Sequence, residues 1–128
     1  MADVEQLLRD PDDPTSITAV NLAEVIDVLV RGHGNPLEDV RERLDWLMAS
    51  GLEVRAVDRS IGILAGELRA RFYHRQHRPL SLADCIALAE AVAASDALAT
   101  SDPPLAAAAA RELGVRVHAL PDARGVLP

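Results

Sequence analysis

A chain of 128 residues, 49% hydrophobic, 26% charged and 2% aromatic, is long enough for one domain with a buried core and too apolar to be disordered. Its single cysteine, Cys85, excludes a disulfide framework and a cysteine-based zinc site. A net charge of −7, with arginine as the basic residue throughout and no lysine, argues against strong non-specific binding to nucleic acid. No apolar run reaches the ~18 residues that span a bilayer. The opening MADVEQLLRDPDD has neither the basic nor the apolar region of a secretory signal, so a cytoplasmic protein with no membrane segment is expected.

In chain order, residues 3–9 read as a short helix with Val4, Leu7 and Leu8 on one face, followed by the turn DPDDP. Ile17 to Val20 is a short β-prone run. Asn21 to Arg31 is helical, because Leu22, Val25, Ile26 and Leu29 recur at the i, i+3, i+4, i+7 spacing, and Gly32 and Gly34 end it. A second amphipathic helix over 37–49 carries Leu37, Val40, Leu44, Leu47 and Met48, with Trp46 off the stripe, at the core's edge or on a partner surface. Leu52 to Val57 reads as a strand. The next helix, 59–74, places Ile61, Leu64, Leu68 and Phe72 on one stripe, and an arginine- and histidine-rich connection leads to Pro79. A helix over 82–95 follows, with Cys85 read as a small buried hydrophobe. Ala97 to Thr100 is a strand, Pro103 and Pro104 open a helix that stops at Gly114, and Val115 to Leu120 is the last strand. Strands alternating with helices predict an α/β fold, a parallel sheet flanked by helices with right-handed crossovers, in one domain spanning 1–128.

Sites in such sheets form at the carboxyl ends of the strands. Three acids follow three predicted strands or helix starts: Glu24 in Asn21-x-x-Glu24, Asp84 in Ser81-x-x-Asp84, and Asp102 before Pro103. Each has a purely structural reading, the first two as capping boxes and Asp102 as an N-cap. As a group they also have a chemical one. Carboxylates gathered at one rim repel, and a hard divalent cation, Mg²⁺ or Mn²⁺ rather than zinc, relieves the repulsion. Such a cation activates water or clamps a phosphodiester. Arg69, Arg71, Arg75 and Arg78, with His74 and His77 and no acid among them, form the one basic segment. It is either a solvated helix end or a track for a phosphate backbone.

The segments ITAVNLAEVIDVL, RPLSLADCIALAEAVA and ALATSDPPLAAAAARELGVRVHAL occur in an order that resembles PIN-domain proteins of the VapC toxin type, over about residues 4–121. The resemblance implies a single-domain endoribonuclease of a toxin–antitoxin pair, dependent on Mg²⁺ or Mn²⁺. Its partners would be an RNA substrate, a cognate antitoxin protein and a second copy in a homodimer. By motif, Glu24, Asp84 and Asp102 correspond to three of the family's four acids, and Thr100 to the hydroxyl residue of its T-x-D motif. Thr18 matches another hydroxyl position more weakly. The family pattern opens with an apolar strand ending in aspartate, whereas MADVEQLLRD resembles its second helix. The expectation is therefore an N-terminally truncated PIN-like domain without the first strand, the first helix and the first aspartate. Its activity would be impaired, or it would be a catalytically inactive module that binds an antitoxin. A third reading is an α/β domain whose acids are caps and nothing more.

Overall fold

The structure, a computed structural model, describes residues 15–100, 102–120 and 127–128. The helix expected over 3–9 and the DPDDP turn lie outside the described residues. The chain is α/β, as its alternating pattern predicts, and falls into two compact units, Met1–Ala56 and Val57–Pro128. No helix among the described residues is long and apolar enough to cross a membrane.

In the first unit, β1 (Ser16–Thr18) leads into α1 (Ala19–Asp27), which widens into a π-helical turn over Val28–Gly32. Gly34 adopts φ +71°, a left-handed conformation that suits glycine, and redirects the chain toward α2 (Leu37–Ala49). The last strand of the unit, β2 (Glu53–Arg55), pairs in parallel with β1, Ile17 opposite Val54. The start of α1 departs from the sequence reading. Thr18, not Asn21, is the N-cap: it is extended at ψ 155°, and its Oγ1 accepts the Asn21 N–H at 3.1 Å. Thr18 is also buried, and its hydroxyl donates to Asn21 Oδ1, so the cap satisfies a polar group that could not otherwise be left there. The Asn21-x-x-Glu24 capping box is consequently not formed. Glu24 sits in the second turn of α1, exposed. On α2 the stripe narrows to Val40 and Leu44, which are buried, while Leu37, Trp46 and Met48 stay exposed.

In the second unit, Asp58 caps α3 (Arg59–Phe72) by accepting the Ile61 N–H at 3.0 Å. A tight turn closed by His74 and Arg78 connects it to α4 (Leu82–Ala94). Then come β3 (Leu98–Thr100), α5 (Pro103–Ala107), a π-helical turn over Ala108–Glu112 and β4 (Val117–Ala119). The parallel strands β3 and β4 pair with Leu98 opposite Val117 and Thr100 opposite Ala119. The described strands thus form two two-stranded parallel ladders, β1–β2 and β3–β4, where the sequence suggests one sheet.

The core lies where α3 meets α4. Ile61, Ala65, Leu68 and Phe72 face Cys85, Leu88 and Ala89, and Leu98, Leu105 and Ala108 complete the cluster. Leu88 and Cys85 are fully buried, as the sequence expects of Cys85. Alanine at 65, 89, 108 and 109 keeps side chains short at the buried faces, so the elements can approach closely without voids.

Candidate functional site

The site of the second unit is built where β3 ends. Thr100, its last residue, is buried, and its Oγ1 accepts the Asp102 N–H at 3.0 Å. That bond fixes the backbone of Asp102, whose Oδ2 accepts the Leu105 N–H at 3.1 Å and caps α5 ahead of Pro103. Asp84 is held as firmly. Its Oδ2 accepts the Ser81 N–H at 3.0 Å while Ser81 Oγ accepts the Asp84 N–H at 3.0 Å, a complete capping box at the start of α4. Both structural readings of these acids are therefore realised. Neither exhausts its carboxylate: each cap uses Oδ2, and among the described residues Oδ1 of each takes no hydrogen bond.

Electrostatics links the two. The Asp102 carboxyl is held above the ordinary carboxylate range, first by its partial burial, with the Leu105 N–H pulling the other way and repulsion from Asp84 adding to the rise. The neighbouring Cys85 thiol is pushed up by burial and then by Asp84, with Arg69 opposing. Within the second unit, Thr100 and Asp102 are joined by the 3.0 Å bond, and Asp84 and Arg69 both bear on the Cys85 thiol. Glu24 lies in the first unit on α1. Among the described residues, no three His, Cys, Asp or Glu side chains are gathered as a ligand set.

The four arginines of the basic segment have unequal roles. Arg69 Nε donates to the Leu80 carbonyl at 3.1 Å, and its guanidinium lies 4.5 Å from the Tyr73 ring centroid. Arg78 pairs with Glu112 at 2.9 Å. Arg71 rests over the Phe72 ring at 4.7 Å and stays exposed, as does Arg75. His74 and His77 stack with ring centroids 4.6 Å apart, as part of the polar surface. The Arg78–Glu112 pair joins residues 34 apart, which no local pattern in the sequence announces.

The PIN domain family model matches residues 2–111, most of the chain. The chain belongs to the PIN domain family. No curated protein and no solved structure matches it. PIN domains are typically metal-dependent nucleases, and the oxygen donors of this one, two carboxylates that among the described residues each keep Oδ1 out of any hydrogen bond, fit a hard divalent cation.

Proposed function

We propose that this PIN domain is a VapC-type endoribonuclease, the toxin of a toxin–antitoxin pair acting in the cytoplasm as one domain. Its single strongest support is the placement of two capped carboxylates, Asp84 in the first turn of α4 and Asp102 just past the carboxyl end of the parallel strand β3, in a chain of a nuclease family. In this reading Asp84 and Asp102 hold Mg²⁺ or Mn²⁺, and Glu24 is the third acid that the family resemblance assigns to the site. Bound there, the cation would supply Lewis-acid polarisation of water and of the scissile phosphodiester.

The chain's own residues do the positioning. Thr100 fixes the backbone of Asp102 through the 3.0 Å bond to its N–H. The two caps spend Oδ2 of each acid on backbone N–H groups, which orients Oδ1 without consuming it. Glu24, freed of a capping role because Thr18 caps α1, is exposed and able to serve as a ligand. The cognate antitoxin and the second copy of a homodimer have apolar surface to meet on α1 and α2, where Val25, Leu37, Trp46 and Met48 are exposed.

The test is cleavage of a single-stranded RNA with Mg²⁺ or Mn²⁺ and with chelator. Metal-dependent cleavage that disappears in Asp84→Asn, with the melting transition kept, supports the reading. Asparagine preserves the size and the acceptor of the cap and removes the charge that a cation needs. Cleavage at the unsubstituted rate in Asp84→Asn reduces Asp84 to a cap and removes it from the proposed site. Absence of metal-dependent cleavage by the unsubstituted chain overturns the nuclease reading and favours the alternative of an inactive module that binds an antitoxin.

A further inference from the structure

Ten residues, Arg69 to Arg78, hold four of the chain's 13 arginines and no acid, in a protein of net charge −7. The structure folds the end of this stretch into a defined turn. His74 and Arg78 exchange backbone hydrogen bonds at 2.9 Å in both directions, and His74 Nδ1 accepts the N–H groups of Gln76 and His77 at 3.2 and 3.0 Å. The turn is therefore closed by a side chain and presents Arg75 from its tip. The ten-residue stretch is tied down at both ends, Arg69 at the end of α3 to the Leu80 carbonyl and Arg78 to Glu112. Leu80 immediately precedes Ser81, the cap that holds Asp84, so the turn runs directly into the acid site.

We propose that the end of α3 and this turn form the substrate-holding ledge of the nuclease: Arg71 and Arg75 take phosphates of a single-stranded RNA, and the Tyr73 ring, one face of which lies against the Arg69 guanidinium, stacks a base on its other face. The proposal rests on the nuclease reading and adds the residues that seat the strand. Arg69 and Arg78 are the ties that shape the ledge, and Arg71 and Arg75 are its working cations. Neither Arg71 nor Arg75 forms an ion pair among the described residues, and both are exposed, so a phosphate meets them without displacing a carboxylate. Planar guanidinium groups match phosphate geometry. A half-exposed tyrosine on the same ledge favours a strand with bases over an acidic protein, because every base offers a π-face to stack on.

The experiment measures binding of a short fluorescent oligoribonucleotide in chelator, so that cleavage does not intervene, across a series of salt concentrations. Each phosphate contact to a single strand contributes about 0.7 to the slope of log affinity against log salt. The double variant Arg71→Gln/Arg75→Gln is expected to lower that slope by about 1.4. The charge-matched Arg41→Gln/Arg43→Gln on α2 is expected to leave it unchanged. Tyr73→Ala is expected to weaken RNA binding about fivefold or more while leaving inorganic polyphosphate binding as it was, and Tyr73→Phe to retain both. Several results overturn the proposal: an unsubstituted chain that binds no RNA, a hairpin double variant with unchanged slope, or an equal loss in the α2 control. So does a hairpin variant that loses binding to an acidic peptide but keeps RNA. If Asp84→Asn abolishes cleavage while the hairpin variant keeps full RNA affinity, the nuclease reading stands and the ledge falls.

Discussion

Asp102 carries a conflict that its surroundings do not resolve without a cation. Partial burial and the nearby Asp84 carboxylate both raise its pKa on folding, and the Leu105 N–H offsets this in part. A carboxyl whose pKa is higher in the folded chain than in the unfolded one favours the fold while it is protonated. That contribution is complete below the ordinary carboxylate range and is lost as pH rises through the raised value. At neutral pH the ionised Asp102 therefore works against the fold. Asp102→Asn keeps an acceptor for the Leu105 N–H and carries no charge, so in metal-free buffer it is expected to melt above the unsubstituted chain at pH 7. Melts repeated at falling pH should show the gap closing. A lower melting temperature for Asp102→Asn at pH 7 would mean that the charge itself is what the cap needs.

At the scale of elements, much of the chain is legible because local rules and tertiary packing agree. The 3.6-residue periodicity and the stops around it give α2, α3 and α4 close to their observed bounds of Leu37–Ala49, Arg59–Phe72 and Leu82–Ala94. Ser81-x-x-Asp84 and Asp102-Pro103 announce their caps for the same reason. The start of α1 reads wrongly because Asn21-x-x-Glu24 satisfies the local pattern of a capping box, while the burial of Thr18 at the end of β1 decides the cap. Strand pairing is set by contacts distant in sequence, so composition and spacing show the acids but not how the strands around them pair. The π-helical turns at Val28–Gly32 and Ala108–Glu112 leave no trace in a periodic pattern. Two substitutions test this level by urea denaturation. Thr18→Val keeps the shape and removes the cap acceptor, and is expected to cost about 0.5–2 kcal/mol. Leu88→Ala opens a cavity between α3 and α4, where Leu88 is fully buried, and is expected to cost about 2–5 kcal/mol. A Leu88→Ala chain as stable as the original would show that the helix pair is not the core.

For the whole molecule, the proposed function asks an acidic protein to hold a polyanion. With a net charge of −7, its long-range field repels RNA, so on that proposal productive approach would depend on the local concentration of arginine between 69 and 78. Added monovalent salt screens repulsion and attraction alike, but phosphate contacts are lost by counterion uptake. The KM for RNA is therefore expected to rise with salt while kcat changes little, which steady-state kinetics at several salt concentrations would show. A kcat that falls with KM unchanged would place the salt sensitivity in the chemistry instead. The central claim is that the Asp84 and Asp102 carboxylates, held by their caps with one oxygen each to spare, form a seat for a divalent cation. Calorimetric titration of Mn²⁺ into the RNA-free protein tests it most directly. The account predicts saturable binding to the unsubstituted chain, weakened at least about ten-fold in both Asp84→Asn and Asp102→Asn because each removes a ligand charge. Binding of equal strength in all three proteins, or none in the unsubstituted chain, would contradict it.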